Sequence, residues 1–435
     1  MNRILLGDVA TSQTGPFGSQ LHEEDYVMEG TPIVTVEHLG DVGFTLQNLP
    51  FVSDEDAERL KKYTLQEGDI VFSRVGAIDR SVYVKKEQEG WLFSGRCLRV
   101  RCDKSKINSR YLSYYFKQKE FKNMMLNVSV GATMPSLNTN IMNNIEIYAV
   151  DRETQDKIAD LLDAIDTKIE KNIFTITEIE MMVKTIYSYW FLQYDFPDEN
   201  GKPYKSSGGK MIWNEELKRE IPVGWEVSSI GKLFTTNRGV SYNSATLEGK
   251  GIPMVNLASF TPTGAYKIDG IKNYSGAYTA DKVLKPYDLV MCNTQQTAID
   301  FSKDIIGRAL LVPDIFEGNI VSSHHVNTIR TVDEALKFYL YYLFNSDYFH
   351  KYVTGYANGT NIMGLVFEGV EKYISEIPEK RVLQEFAKLS LSIEKKKSEI
   401  IRENQELISL RDFLLPLLMN GQIGFRQDWL KDYKI

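Results

Sequence analysis

A chain of 435 residues with 43% apolar and 11% aromatic side chains has enough to bury for two domains of ordinary size, which excludes a disordered polymer. A formal charge of -7 argues against a uniformly basic nucleic-acid binder, because phosphate contacts rest on Lys and Arg. Three cysteines (Cys97, Cys102, Cys292) fit neither zinc nor CxxC spacing and read as inert thiols, and with no signal-peptide pattern and no apolar run near the roughly 18 to 20 residues of a membrane span, a cytoplasmic protein without a membrane partner is expected.

In chain order, residues 1–150 read as a mixed α/β unit. Short apolar runs such as Pro32 to Val36 and Ile70 to Phe72 are bounded by Gly, Pro and Asp, and the aromatic stretch Tyr111 to Phe116 reads as a helix whose rings serve the core. Charge is polarised within this unit: residues 1–73 carry 4 Lys/Arg against 13 Asp/Glu, and residues 74–122 carry 13 against 5. The basic segment permits a local anion-binding surface despite the net charge.

Residues 151–192 read as one long helix. Leu162, Ile165, Ile169, Asn172, Ile176, Ile179, Val183, Ile186 and Trp190 alternate by three and four residues, the pattern of a coiled-coil seam with one polar interruption. Residues 193–229, rich in Pro, Gly and Ser between Asp195 and Gly209, read as a connector made of turns rather than core. A second α/β unit spans 230–377, a second long helix 378–420 and a tail 421–435. In that helix Phe386, Leu389, Ile393, Lys396, Ile400, Glu403, Leu407, Leu410 and Leu414 fall in heptad register.

The second half repeats the first at an offset of about 220 to 230 residues. Leu6-Gly7-Asp8-Val9 returns as Ile230-Gly231-Lys232-Leu233, and Gly30-Thr31-Pro32-Ile33-Val34 as Gly251-Ile252-Pro253-Met254-Val255. Leu65 to Val71 returns as Leu284 to Val290, and Tyr111 to Phe116 as Tyr339 to Phe344. The shared order makes chance an inadequate explanation. The fold class is therefore α/β (α+β): two mixed units joined by two helices, each about 40 residues or roughly 60 Å long. Antiparallel pairing within the chain buries both seams and sets the units at opposite ends of a rod, and pairing between two chains is the competing arrangement.

Catalytic signatures are missing. No G-x-x-x-x-G-K-[ST] occurs, no G-x-G-x-x-G follows a strand, and no Asn-Pro-Pro or Asp-Pro-Pro precedes an aromatic residue. The histidines (His22, His38, His324, His325, His350) lack metal-ligand spacing, and the pair His324-His325 is expected to face opposite sides of a strand. Asp198, Glu199 and Lys202 lie in a Gly-rich connector and read as surface residues.

Polar, Gly-containing loops are the candidates for DNA contact. In the first unit these are Thr14, Gly15, Phe17 and Ser19, then Ser73, Arg74, Arg80 and Lys85. In the second they are Arg238, Ser241 and Asn243, then Thr294, Gln295 and Gln296. Arg pairs bidentately with guanine and Gln or Asn with adenine, so the two copies suit different bases, whereas ordinary turns use the same residue types.

The order of these elements resembles the specificity subunit of type I restriction-modification enzymes. The likeness is carried by Thr14-Gly15-Pro16-Phe17-Gly18-Ser19, Gly68-Asp69-Ile70-Val71-Phe72-Ser73-Arg74-Val75-Gly76, Phe196-Pro197-Asp198-Glu199-Asn200-Gly201-Lys202-Pro203-Tyr204, Ile221-Pro222-Val223-Gly224-Trp225 and Leu410 to Ile423. It implies two target-recognition domains (1–150 and 230–377), each reading half of a bipartite, asymmetric site on double-stranded DNA. It further implies that two methyltransferase subunits dock on the helices and that restriction subunits, the translocase and endonuclease, join them. S-adenosylmethionine, ATP and magnesium would then belong to those partners, with no cofactor or metal in this chain. The seam of Leu162, Ile165, Ile169, Asn172, Ile176, Ile179, Val183 and Ile186 with Ile393, Ile400, Leu407 and Leu414 would form the spacer. A coiled-coil scaffold joining two protein-binding domains is the alternative, motivated by the acidic pI of about 5.5.

Overall fold

The structure, a computed structural model, describes residues 2–17, 20–40, 43–128, 136–247, 250–296, 303–360 and 362–425. The chain divides into two compact units: residues 1–171 with 404–435, and residues 172–403. Each holds one α/β domain together with segments of both long helices.

The first domain is built on a four-stranded antiparallel sheet in the order Ala10–Thr14, Cys97–Cys102, Asp69–Ser73, Ser81–Tyr83. A second sheet runs Tyr26–Val27, Phe51–Val52, Thr31–Val34, Leu92–Phe93, its last pair parallel. The second domain repeats this plan with Phe234–Arg238, Val326–Thr331, Leu289–Cys292, Ala309–Leu311 in one sheet and Lys272–Tyr274, Ile252–Val255, Ile320–Ser322, Val283–Leu284 in the other, where Ile252–Val255 and Ile320–Ser322 are again the parallel pair. Each domain is closed by pairing its first strand with its last, Asn2–Leu5 with Glu146–Ala149 and Glu226–Ser229 with Ile374–Ile377.

The repeated sequence words have repeated physical causes. A Cβ on Gly7 would lie 3.0 Å from the Asn143 carbonyl oxygen, and one on Gly231 would lie 2.8 Å from that of Glu371, so both positions take the chain's closest approach to a short helix. Asp69 accepts from the Gln66 amide at 2.8 Å and pairs with Arg101. Asp288 accepts from the Lys285 amide at 2.8 Å and pairs with Arg330. The preceding turn needs a left-handed residue, supplied by Gly68 (φ 95°) in one copy and by Tyr287 (φ 64°) in the other.

The first long helix runs Arg152–Tyr187 and continues as a π-helical turn, Ser188–Leu192. Asp151 starts it by accepting from the Thr154 amide at 3.0 Å. The second runs Lys380–Met419 and stops at Gly421 (φ 65°), where the Gln422 amide donates to the Leu417 carbonyl at 2.9 Å. In the first unit Ile158 and Leu162 share a buried cluster with Leu415, Leu418 and Met419. In the second, Asn172 Nδ2 donates to Glu403 at 2.7 Å and the Tyr187 ring lies 6.0 Å from Phe386. Residue numbers rise on one helix as they fall on the other, so within each unit the helices pair antiparallel in the same chain.

Leu162, Ile165, Ile169, Asn172 and Val183 are buried, while Ile176, Ile179 and Ile186 are half-buried. The register of the second helix departs from the expected heptads. Ile400 is buried and Ile393, Leu407 and Leu414 are half-buried, but Lys396 and Leu410 face solvent. Beside Ser398 and Ile400, buried positions step Phe386, Ser390, Glu394, Lys397, Ile401, Asn404. Two successive four-residue steps make a stutter, which advances the seam by one residue.

The connector also differs from expectation. It contains a hairpin, Met211–Asn214 with Arg219–Pro222, and sends Tyr194, Phe196, Ile221 and Trp225 into the core of the second unit. Phe196 stacks on Tyr204 at 4.6 Å and on Trp225 at 5.4 Å. Asp195 ties its turns together by accepting from the Ser206 amide at 2.7 Å. The aromatic helices serve the core as expected: Tyr111 and Tyr114 pack against both long helices in one unit, and Tyr339 and Leu340 do so in the other.

Candidate nucleic-acid interface

In the first unit the loop after Ala10–Thr14 crosses the turn Ser94–Arg96 that links the two sheets. A Cβ on Gly15 would fall 2.1 Å from the Ser94 carbonyl oxygen, so only glycine permits the crossing. The Gly15 amide donates to the Cys97 carbonyl at 3.1 Å and the Ser94 amide to that of Val34 at 2.9 Å. Arg74, just past Asp69–Ser73, holds the turn from the other side. Its amide donates to the Arg96 carbonyl at 2.8 Å, and its guanidinium donates to Gly95 at 3.1 Å and Leu137 at 3.0 Å while covering the Phe17 ring at 4.6 Å. Phe17 is 53% exposed, and Arg96 is exposed beside it.

The second unit has the same bonds at the same stations. The Gly239 amide donates to Val326 at 3.2 Å, Ser323 to Val255 at 2.8 Å and Asn293 to His325 at 2.9 Å. The Asn293 side-chain amide donates to the His324 carbonyl at 3.2 Å, as Arg74 does to Gly95. A Cβ on Gly239 would again lie 2.1 Å from a carbonyl oxygen, that of Ser322. The side chains the turn presents are different: Gly95-Arg96 in one unit, His324-His325 in the other.

The histidines do not straddle a strand. Their turn between Ile320–Ser322 and Val326–Thr331 folds both rings to one side, 3.8 Å apart, with Tyr242 at 5.3 and 6.2 Å. Both are held below the ordinary imidazole range, His324 by burial and the Arg238 charge, His325 by burial, His324 and Arg238.

Of the expected contact residues, Thr14, Gly15, Phe17 and Arg74 gather at the first turn, and Arg238 (Nε to the His324 carbonyl, 2.7 Å) and Ser241 gather at the second. Arg80 and Asn243 are exposed, Asn243 accepting from the Thr246 amide at 3.1 Å. The remaining expected residues that the structure describes are engaged within the chain. Ser73 is buried and donates to the Val75 carbonyl at 3.3 Å. Lys85 pairs with Glu170 of the long helix. Thr294 is buried and donates to Asn293 at 2.7 Å, and Gln295 is buried and accepts from the Ile305 amide at 2.7 Å, because this segment is a strand paired with Ile362–Leu365 rather than a loop. Ser19 and the Gln296 side chain lie outside the described residues. The turns also hold Arg96, Tyr242, His324 and His325, which are not among the expected contact residues; a residue-by-residue alignment of the two copies through Cys97 and Val326 exposes the paired turn.

The basic segment is also not the patch its count suggests. Arg110 pairs with Asp160 and Asp163, Lys117 with Asp166, Lys85 with Glu170 and Arg101 with Asp69. Most of these acids lie on one face of the first long helix, so much of the local excess of cations docks the domain on that helix.

Among the described residues no group of three or more His, Cys, Asp or Glu could hold a metal, and no helix is long and apolar enough to cross a membrane. Burial pushes the thiols of Cys97, Cys102 and Cys292 up to about 12, which leaves them protonated and unreactive.

Comparison with known proteins gives the same outline. Residues 2–181 match the family model "Type I restriction modification DNA specificity domain". The type I restriction enzyme MjaIX specificity subunit of Methanocaldococcus jannaschii is 25% identical over 328 residues, 74% of this chain and 70% of that protein. The HindI specificity subunit of Haemophilus influenzae is 22% identical over 421 residues, covering 83% and 88%. The crystal structure of a type I S subunit from M. genitalium superposes with a TM-score of 0.55 at 13% identity, over 96% of this chain and 95% of that one. Residues 2–181 thus carry a type I restriction modification DNA specificity domain, and the chain is similar over most of its length to type I restriction enzyme specificity subunits.

Proposed function

We propose that each domain of this chain reads one half of a bipartite sequence on double-stranded DNA, and that the chain supplies binding energy and register while partner subunits supply the bond chemistry. Two methyltransferase subunits would dock on the long helices and restriction subunits would join them, bringing S-adenosylmethionine, ATP and magnesium. The observation that carries this reading is the repeated turn: one scaffold, hydrogen-bonded alike in both domains, presents Gly95-Arg96 in one and His324-His325 in the other. A device that must hold the same pose over two different half-sites requires that combination.

Selection from a random-sequence duplex library by the full chain, alone and in its assembled complex, is the test. The expected result is enrichment of a two-part sequence, with affinity falling steeply as salt rises. Recovery of no common sequence, with no dependence on salt, would return the chain to the protein-scaffold reading.

A further inference from the structure

Two exposed or half-buried turns remain unaccounted for by packing. Arg96 is exposed at the tip of the first, and no carboxylate is found on it among the described residues. In the second, the Nδ1 atoms of His324 and His325 are shielded from solvent yet have no hydrogen-bond partner among the described residues. Shielded polar atoms are normally satisfied, so these two nitrogens mark a turn whose packing within the domain does not by itself account for both histidines.

The backbone gives the register between the turns. Cys97 and Val326 both accept from the glycine of the crossing loop, and Arg96 and His325 both accept from the residue that follows the central strand. Counting back, Arg96 corresponds to His325 and Gly95 to His324. Phe17 and Ser241 correspond in the crossing loop, each two residues beyond its glycine. Arg74 and Asn293 are spent in part on fixing the turn: Arg74 commits two N–H groups to carbonyls, and Asn293 commits its amide to the His324 carbonyl and the Asn327 side chain. These two hold the turn, and the turn's own tip is left to meet the ligand.

The geometry points to this inter-sheet turn as the base-contacting element of each domain, with Arg96 reading a guanine in one half-site and His325, seated beside His324 and Tyr242, reading the acceptor edge of a purine in the other. The assignment rests on the DNA-reading function above and specifies which residues do the reading. Arginine offers two parallel N–H groups to O6 and N7 of guanine, whereas an imidazole offers one donor. The first half-site should therefore be strict at its contacted position, and the second should accept either purine. Tyr242, at 5.3 and 6.2 Å from the two rings, limits their rotation and keeps the donor aimed.

The experiment compares the full chain with Arg96→Ala, His325→Ala and His325→Arg in the random-duplex selection, with thermal melting of each variant as the check on folding. Arg96→Ala should relax one position of one half-site, lowering discrimination there roughly tenfold to a hundredfold, and leave the other half unchanged. His325→Ala should relax one position of the opposite half. His325→Arg should narrow that same position to guanine, a gain that a misfolded domain cannot produce. If the wild-type chain enriches a bipartite sequence and all three variants enrich the identical one, the turn is not the reader and this assignment is overturned while the function stands. If the wild-type chain enriches nothing, both fall.

Discussion

Arg411 and Asp166 meet across the paired helices of the first unit, guanidinium Nη1 to carboxylate Oδ1 at 2.9 Å. The other carboxylate oxygen accepts from the Tyr114 hydroxyl at 2.9 Å and faces Lys117 at 3.4 Å. One acid thereby ties the domain helix Ser109–Lys117 to both long helices. Burial raises this carboxyl, but Lys117, Arg411 and Tyr114 outweigh it and hold it below the usual carboxylate range. Asp166→Ala leaves the half-buried Lys117 without its ion-pair partner and Arg411 with Asp412 alone, and should cost at most the about 3 to 5 kcal/mol of a broken buried pair, measured by urea unfolding. The wild-type contribution is complete above the unfolded carboxyl's pKa of 3.8 and is lost as pH falls through the lower folded value. An unchanged unfolding midpoint in the variant would remove this contact from the account.

The second unit fastens the same helices with Lys397, whose Nζ lies 2.8 Å from Glu180 and 3.1 Å from the buried Glu394. Lys397→Met should destabilise because it strands Glu394, whose carboxyl burial already raises. A folded carboxyl pKa above its unfolded value stabilises at low pH and loses that contribution as pH rises, so the deficit of the variant should be larger at pH 8 than at pH 5. A pH-independent deficit would show that Glu394 stays charged or finds another cation.

His350 gives the wild-type chain a separate acid sensitivity. It is fully buried in the second unit, and burial with the nearby Arg308 charge depresses it from 6.5 to about 4. The folded protein keeps it neutral while the unfolded chain protonates it, so stability is complete above pH 6.5 and declines between 6.5 and about 4, by at most about 3 kcal/mol. His350→Gln should flatten the melting temperature across that interval. A slope that survives the substitution would assign the effect to other groups.

The architecture was legible because its signals are periodic or repeated. The Leu162 to Val183 seam, the Gly7/Gly231 and Asp69/Asp288 correspondences and the aromatic helices each follow from a local rule that no distant contact overrides. The site was less legible, and for a consistent reason. Lys85 and Lys117 look like a DNA surface in a residue count, yet their partners, Glu170 and Asp166, come from a helix 85 and 49 residues away in sequence. Ser390, Glu394 and Lys397 conceal the stutter because a reader of apolar periodicity passes over buried polar residues. His324 and His325 read as strand residues because nothing local marks the turn, whose shape is set by Gly239 and Asn293.

That dependence on a distant glycine gives the last test. Gly15→Ala and Gly239→Ala each drive a methyl group to 2.1 Å from a backbone carbonyl, a clash that no rotamer change relieves. Ser94 or Ser322 must shift, and with it the turn that carries Arg96 or His325. Overpacking of this kind costs about 1 to 3 kcal/mol, which a domain of this size survives. The predicted outcome is a folded protein in which Gly15→Ala degrades selectivity in one half-site and Gly239→Ala in the other. Gly424→Ala, where the added methyl meets nothing within 4 Å, should leave both halves intact. Equal loss in both halves from either turn variant would mean that the two domains do not read independently, and would place the specificity in elements they share.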